Sequence, residues 1–176
     1  QVLLGDYNPG GHLPYTVYAS LDGVPPQNEY DVSKGFTYLY FKGIPLYAFG
    51  YGLSYTQFKF SNLELSRSAT NAVGRVEVSF DIQNTGVRSG AEVAQMYVHQ
   101  AKSNVVQPIK SLRGCQHGQL APGETKHITL PVEASRLSYY DVTTHKFIVA
   151  PVTFEVIIGA SSDDIRLRTQ LKFNLI

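Results

Sequence analysis

The sequence predicts an all-β protein, an immunoglobulin-like β-sandwich of about seven strands that is preceded by a tail of strands and loops. Three observations predict this fold. Several stretches after residue 56 alternate apolar and polar residues with the period of two that is typical of half-buried strands. Turn-forming residues separate these stretches at spacings of about 8–12 residues, as in sandwich domains. No stretch of the second half repeats apolar residues at helical spacing.

The alternating stretches give the strands in order. "QFKFSNLEL" is the first, and "GRVEVSFDIQN" follows it with Val76, Val78, Phe80 and Ile82 on one face. "AEVAQMYVHQ" is apolar on both faces, which predicts a central strand, and another strand is predicted around Leu112. The last three strands are "KHITLPV" with Ile128, Leu130 and Val132 inside, "VTFEVIIG" with Val152, Phe154, Val156 and Ile158 inside, and "RLRTQLKFNL" with Leu167, Leu171, Phe173 and Leu175 inside.

The beginning of the chain differs from the rest, and we predict two units, residues 1–56 and residues 57–176. Most of the tyrosines precede residue 56. Val2–Leu4 and Leu13–Ala19 predict short strands around an Asn-Pro-Gly-Gly turn. Ordering one residue costs about 1–2 kcal/mol of backbone entropy, and the tail has few regular elements to offset that cost. We therefore expect the tail to need another surface, either the sandwich or a further domain.

Composition argues against several classes of function. The net charge is +1 and Lys and Arg do not cluster, so no nucleic-acid partner is expected. No apolar run approaches the roughly 20 residues that span a bilayer, so no membrane partner is expected. The first residues lack the features of a signal peptide, and we expect the chain to begin inside a fold. Cys115 is the single cysteine, which excludes an intramolecular disulfide, and it is predicted to be buried in a strand.

The sequence contains no recognisable catalytic constellation, and we predict no catalytic, cofactor or metal site. Asp163 and Asp164 are adjacent, but "SSDDIRL" is typical of a solvated turn. Asp6 and Asp31 are also predicted to shape turns. The histidines are scattered along the chain, which indicates isolated surface or loop residues rather than metal ligands. They are His12, His99, His117, His127 and His145.

The aromatic segment at residues 36–58 admits two interpretations. Its tyrosines could form a platform on which sugar rings stack. Leu46 and Leu53 are interspersed among the aromatic residues, and this favours packing between domains instead. Burying one such side chain contributes roughly 1.5–3 kcal/mol. The residues predicted to pack between domains are Tyr38, Tyr40, Phe41, Tyr47, Phe49, Tyr51, Leu53 and Tyr55.

Five blocks in this order resemble the C-terminal part of the family 3 glycoside hydrolases, which include β-glucosidases and β-xylosidases. The first block resembles the family's G-D-x-N-P-x-G-R-L-P pattern, and the last three resemble its fibronectin type III-like domain. The chain departs from the family at His12, Phe36 and Leu39, where Arg is usual, and at Val152, where Gly is usual. The blocks are "GDYNPGGHLP", "YDVSKGFTYLYFKGIPLYAFGYGLSYTQF", "VQPIKSLRG", "LAPGET" and "RLSYYD".

The resemblance implies a role for the chain within a larger enzyme. Family members hydrolyse β-linked glucose or xylose with retention, using two carboxylates about 5–5.5 Å apart. The resemblance places the nucleophile in an N-terminal barrel and the acid/base in an upstream α/β sandwich domain. This chain would then lack both carboxylates, would be inactive alone, and would need no cofactor.

The resemblance also implies partners and a location. Residues 1–56 would be the end of the α/β domain, and residues 57–176 the complete fibronectin type III-like domain. The expected partners are the barrel and the α/β domain, with an oligosaccharide at the domain edge as a further candidate. The expected location is extracellular or periplasmic. The competing interpretations are a carbohydrate-binding module that uses the tyrosines and a protein-interaction module.

Overall fold

The computed structural model describes residues 1–100 and 102–174, and strands dominate it. One short helix, α1 (Thr37–Tyr40), lies in the tail, and a 3₁₀ turn, Ala134–Leu137, lies in the second half. The strands are β1 (Val17–Tyr18), β2 (Pro45–Tyr47), β3 (Phe58–Leu65), β4 (Ala69–Thr70), β5 (Arg75–Asn84), β6 (Gly90–Gln100), β7 (Ser111–Leu120), β8 (Thr125–Glu133), β9 (Tyr139–Asp141), β10 (Lys146–Ile148), β11 (Thr153–Gly159) and β12 (Ile165–Phe173).

Two sheets form the predicted immunoglobulin-like sandwich. One sheet has five strands in the order β4-β12-β11-β6-β7, and the other has three in the order β3-β5-β8. All neighbouring strands in these sheets run antiparallel except β4 and β12, which are parallel. The seven long strands are the seven predicted from the sequence. The two-residue strand β4, the hairpin of β9 and β10 and the 3₁₀ turn at Ala134–Leu137 were not predicted, because each is too short to show a period.

The apolar faces of the two sheets meet in one core. Val76, Val78, Phe80 and Ile82 of β5 are all buried, as the alternation predicts. The ring of Phe80 stacks on that of Phe60 with 6.3 Å between centroids. The predicted inward residues of β8, β11 and β12 also belong to this core or pack against it, apart from Leu175, which lies outside the described residues.

Strand β6 is buried on both faces, and a different surface covers each face. It lies between β11 and β7, inside the sheet. Ala94, Met96 and Val98 point into the sandwich core. Gln95 and Tyr97 alternate with them on the outer face, and they are equally buried. The tail covers this outer face, which explains why the sequence of β6 is apolar on both sides.

The tail, residues 1–56, contains short elements. Strands β1 and β2 pair with each other, and His12 forms an isolated antiparallel bridge with Gly52. The predicted strand at Val2–Leu4 is wrong, because these residues form a turn closed by a hydrogen bond from Gly5 N–H to Val2 O. Of the predicted strand Leu13–Ala19, only β1 has strand geometry. Among the described residues, no helix has the length and apolar character needed to cross a membrane.

Candidate functional site

The junction between the tail and the sandwich is organised around one buried amide. Gln95 Nε2 donates hydrogen bonds to Gly50 O of the tail (3.2 Å) and to Ala160 O at the end of β11 (2.7 Å). Its Oε1 accepts a hydrogen bond from Tyr97 Oη at 2.5 Å. Both amide hydrogens and the carbonyl are therefore used. The amide thus connects three segments that are distant in sequence.

Aromatic rings of the tail pack around this amide. The Tyr38 ring stacks on Phe49 with centroids 4.3 Å apart and meets the edge of Tyr97 at 5.8 Å. The Leu112 N–H of β7 donates a hydrogen bond to Tyr38 Oη at 3.2 Å. Burial raises the pKa of the Tyr97 phenol, so this hydroxyl stays protonated and remains a donor to Gln95.

Backbone hydrogen bonds hold the same part of the tail on the sandwich. Ser162 N–H donates to Phe49 O at 2.8 Å, and Ile109 N–H donates to Leu39 O at 2.7 Å. The Lys110 ammonium group donates to Ser162 O and so steadies the turn that receives the tail. These bonds give the aromatic packing a fixed register.

A second attachment lies at the start of the tail. Asn8 Nδ2 donates to Ser89 O at 2.9 Å. Its Oδ1 accepts hydrogen bonds from Tyr55 N–H at 2.7 Å and from Ser54 Oγ at 3.1 Å. The Asn-Pro-Gly-Gly segment is therefore fixed both to the sandwich and to the end of the tail.

The eight residues predicted to pack between domains occupy three environments. Tyr38 and Phe49 lie against the sandwich, as described above. Three are partly buried within the tail, namely Tyr40, Phe41 and Tyr51. The remaining three are exposed: Tyr47 by 42%, Leu53 by 64% and Tyr55 by 46%.

The tail exposes much of its apolar surface. Among the described residues, Ala48 is the single buried hydrophobic residue that precedes residue 57. We call the exposed large hydrophobic residues of the tail the apolar tail face. Its members are Val2, Leu3, Leu4, Tyr7, Tyr15, Leu21, Val24, Tyr30, Val32, Ile44, Leu46, Tyr47, Leu53 and Tyr55.

A cavity of about 410 Å³ opens beside the junction and is lined by charged groups. His12 Nε2 lies 3.2 Å from Oε1 of Glu92, and both side chains are largely buried. Arg166 donates from Nε and Nη2 to the two carboxylate oxygens of Asp164, at 2.6 and 2.7 Å. These hydrogen bonds to Asp164 raise the pKa of the Arg166 guanidinium.

The two carboxylates of the cavity are each paired with a basic side chain. Asp164 is paired through both oxygens with Arg166, and Glu92 is paired with His12. The arrangement can therefore bind polar groups.

Several side chains differ from the sequence prediction. His12 is not an isolated surface residue, because it pairs with Glu92, and His127 pairs with Asp81 at 2.7 Å. Hydrogen bonds from Asn62 and His127 lower the pKa of the Asp81 carboxyl. The described residues contain no group of three or more His, Cys, Asp or Glu side chains placed to hold a metal ion.

The prediction for Cys115 is wrong, because its side chain is exposed. It lies opposite Gln95 on the edge strand β7. The prediction of a turn at Asp163 and Asp164 is confirmed. Both backbone N–H groups donate to Ser161 Oγ, and both residues are exposed.

Comparison with known proteins places this geometry in a family. Residues 1–55 match the "Glycosyl hydrolase family 3 C-terminal domain", and residues 92–162 match the "Fibronectin type III-like domain". The Beta-D-glucoside glucohydrolase of Trichoderma reesei has a similar structure, with a TM-score of 0.84 and 34% identity over 98% of this chain and 28% of that chain.

The chain belongs to the C-terminal region of the family 3 glycoside hydrolases.

Curated relatives extend well beyond this family 3 region. The periplasmic beta-glucosidase of Salmonella typhimurium is 37% identical over 92% of this chain but only 22% of its own length. The xylan 1,4-beta-xylosidase of Xylanibacter ruminicola is 35% identical over 93% of this chain and 18% of its own length. The chain thus spans about a quarter or less of these relatives.

Sequence reasoning missed the residues that organise this family 3 junction. Gln95 and Tyr97 were assigned only to a central strand. The available signal was Gln95 itself, a polar residue within a strand that is apolar on both faces. Such a residue is expected to be buried, and a buried amide requires hydrogen-bond partners. His12 gave a second signal, since it stands where the family usually has Arg.

We predict that Gly50→Ala loosens the tail from the sandwich. Gly50 has a φ of +80°, and an added Cβ would overlap Gln95 Oε1. Backbone strain and overlap together should cost about 2–4 kcal/mol in urea unfolding. The matched control is Gly123→Ala, at a φ of +76° with no atom near the added Cβ, which should cost only about 1–2 kcal/mol. Equal losses in the two variants would contradict the close contact.

We also predict that Tyr97→Phe destabilises the chain. The variant keeps the ring but leaves the buried Gln95 Oε1 without a donor, which should cost about 1–3 kcal/mol. Tyr140→Phe on the exposed β9–β10 hairpin is the control and should change stability by less than about 0.5 kcal/mol. Urea unfolding of both variants checks the difference, and an unchanged midpoint for Tyr97→Phe would argue against the network.

Proposed function

We propose that this chain is the non-catalytic C-terminal region of a β-glycosidase that removes terminal β-linked glucose or xylose from oligosaccharides or glycosides. Residues 1–56 would complete an α/β sandwich domain, and residues 57–176 would form the fibronectin type III-like domain. Its role would be to stabilise the catalytic domains and to border the substrate entrance. The single observation that carries this proposal is the apolar tail face.

The apolar tail face supports packing against another domain. Many exposed large apolar side chains on one segment of a soluble protein are typical of a site of interaction. Ile44 is 88% exposed and Leu46 58% exposed, beside the half-exposed Tyr47. On its other side the same tail is fixed by Gln95 and Tyr38. A tail that is held rigidly on one face is suited to present the opposite face to the barrel and the α/β domain.

The pairing of the acidic residues supports a non-catalytic role. Retaining hydrolysis needs a nucleophile and an acid about 5–5.5 Å apart across the sugar. In the described cavity, Glu92 contacts the His12 imidazole and Asp164 is paired with the Arg166 guanidinium. The catalytic carboxylates would then belong to the barrel and the α/β domain. The name of the Salmonella relative supports an extracellular or periplasmic location.

The alternative of a carbohydrate-binding platform has less support. The rings of Tyr47 and Tyr51 are 5.1 Å apart but inclined by 41°, so they do not form one flat surface. Exposed aliphatic side chains such as Leu46 and Leu53 lie among them. Such side chains pack against protein more readily than they bind sugar hydroxyl groups.

The proposal can be tested with the chain alone and with a chimera. The purified chain should release no nitrophenol from nitrophenyl β-glucoside or β-xyloside. In the chimera, the chain replaces the corresponding region of the Salmonella relative. Ile44→Asp and Leu46→Asp should each destabilise the chimera by about 1.5–3 kcal/mol and reduce its activity, because each removes a buried apolar contact.

The matched control is Val73→Asp, in an exposed turn of the sandwich. This variant should leave the chimera's stability and activity unchanged. Hydrolysis in proportion to the concentration of the isolated chain would overturn the non-catalytic role. Tail variants that behave like Val73→Asp would overturn the packing role.

A further inference from the structure

The cavity beside the junction lies where several segments of the chain meet. Residues 51–54 and 56–58, the first residues of β6, and the turn between β11 and β12 line it, together with His12 and Thr85. Its volume of about 410 Å³ falls in the range of roughly 300–1,000 Å³ that is usual for small-molecule sites. Because the Gln95 network fixes two of these segments, the walls are held in place without a ligand.

Arg166 provides a rigid set of donors on one wall. Three of its five N–H groups are used, two by Asp164 and one by Phe58 O at 3.3 Å. The guanidinium carbon also lies 5.8 Å from the centroid of the Phe60 ring. Two N–H groups on the terminal nitrogens therefore remain for a ligand, on a side chain that is already oriented.

The facing groups provide acceptors and an apolar contact. His12 Nε2 and the Val93 N–H both contact Oε1 of Glu92, which leaves Oε2 as an acceptor. Gln57 also belongs to the lining, and its side-chain amide can donate and accept. Tyr51 contributes an aromatic ring of the kind that packs against the C–H face of a sugar.

The charges in the cavity select against ionic ligands. Its two carboxylates and two basic side chains are paired with each other. An anionic ligand would meet Glu92 and Asp164, and a cationic ligand would meet Arg166, so either would encounter a like charge. A neutral ligand with neighbouring hydroxyl groups can satisfy donors and acceptors at once.

We propose that this cavity is a non-catalytic binding site for one unit of a neutral saccharide. Arg166 donates to neighbouring hydroxyl groups of the sugar, Glu92 and Gln57 accept from others, and Tyr51 packs against the ring. This site is distinct from a platform of exposed tyrosines. The class of ligand is inferred from the cavity lining, whereas the choice of gluco- and xylo-saccharides as probes rests on the proposed function.

Titration of the full chain with glucose, xylose, cellobiose and xylobiose, followed by amide NMR shifts, tests the site. At least one of these should give saturable shifts at residues lining the cavity. Arg166→Lys keeps the charge but loses the planar fork, so it should weaken binding at least about tenfold. Arg168→Lys is the matched control on the same strand, because Arg168 pairs with Glu155 outside the cavity, and binding should be unchanged.

Gln57→Ala is a second variant that preserves the fold, because the Gln57 residue is exposed. It should weaken binding even if Arg166→Lys fails to fold. Absence of shifts up to about 10 mM sugar, which would reveal millimolar affinity, would overturn the proposal. If Gln57→Ala and Arg168→Lys bind the sugar equally well, the proposed location of the site is overturned. If the chain binds glucuronate more tightly than glucose, the proposed preference for a neutral saccharide is overturned. Since no hydrolysis is measured, failure of this binding proposal is distinguishable from failure of the proposed function.

Discussion

The arrangement of the chain depends on the buried amide of Gln95. This side chain lies on the outer face of β6, a position that faces solvent in a free-standing sandwich. Here it is 3% exposed, and its three hydrogen bonds reach the tail, the end of β11 and Tyr97. A buried amide without partners costs about 1–3 kcal/mol for each unsatisfied group. The Gln95 amide therefore joins the tail, β6 and the end of β11 into one hydrogen-bonded unit.

This constraint gives the tail two different faces. The inner face, with Tyr38 and Phe49, packs like part of a core against Tyr97. Elsewhere the tail keeps many large apolar side chains in solvent. Relatives that extend far beyond this region give a physical reason for such a surface, because a further domain could cover it. The junction thus links the fold of the sandwich to the place of this region in a family 3 enzyme.

The sandwich could be predicted from the sequence, because most of its long strands alternate apolar and polar residues with a period of two. Val76 to Ile82 shows this most clearly. The junction could not be predicted, because Gln95 and Gly50 are 45 residues apart and no local pattern pairs them. The same holds for His12 and Glu92. The exposure of Cys115 was not predicted either, because the strand order that places β7 at the edge of its sheet is not a local property of the sequence.

Hydroxyl-radical footprinting tests the central claim that the junction fixes one tail face and presents the other. The isolated chain would be compared with the same chain joined to family 3 catalytic domains. The account predicts that Tyr47 and Tyr55 are oxidised in the isolated chain and protected in the joined protein, while Tyr97 is protected in both. Equal oxidation of Tyr47 and Tyr55 in the two proteins would contradict it, as would rapid oxidation of Tyr97 in the isolated chain.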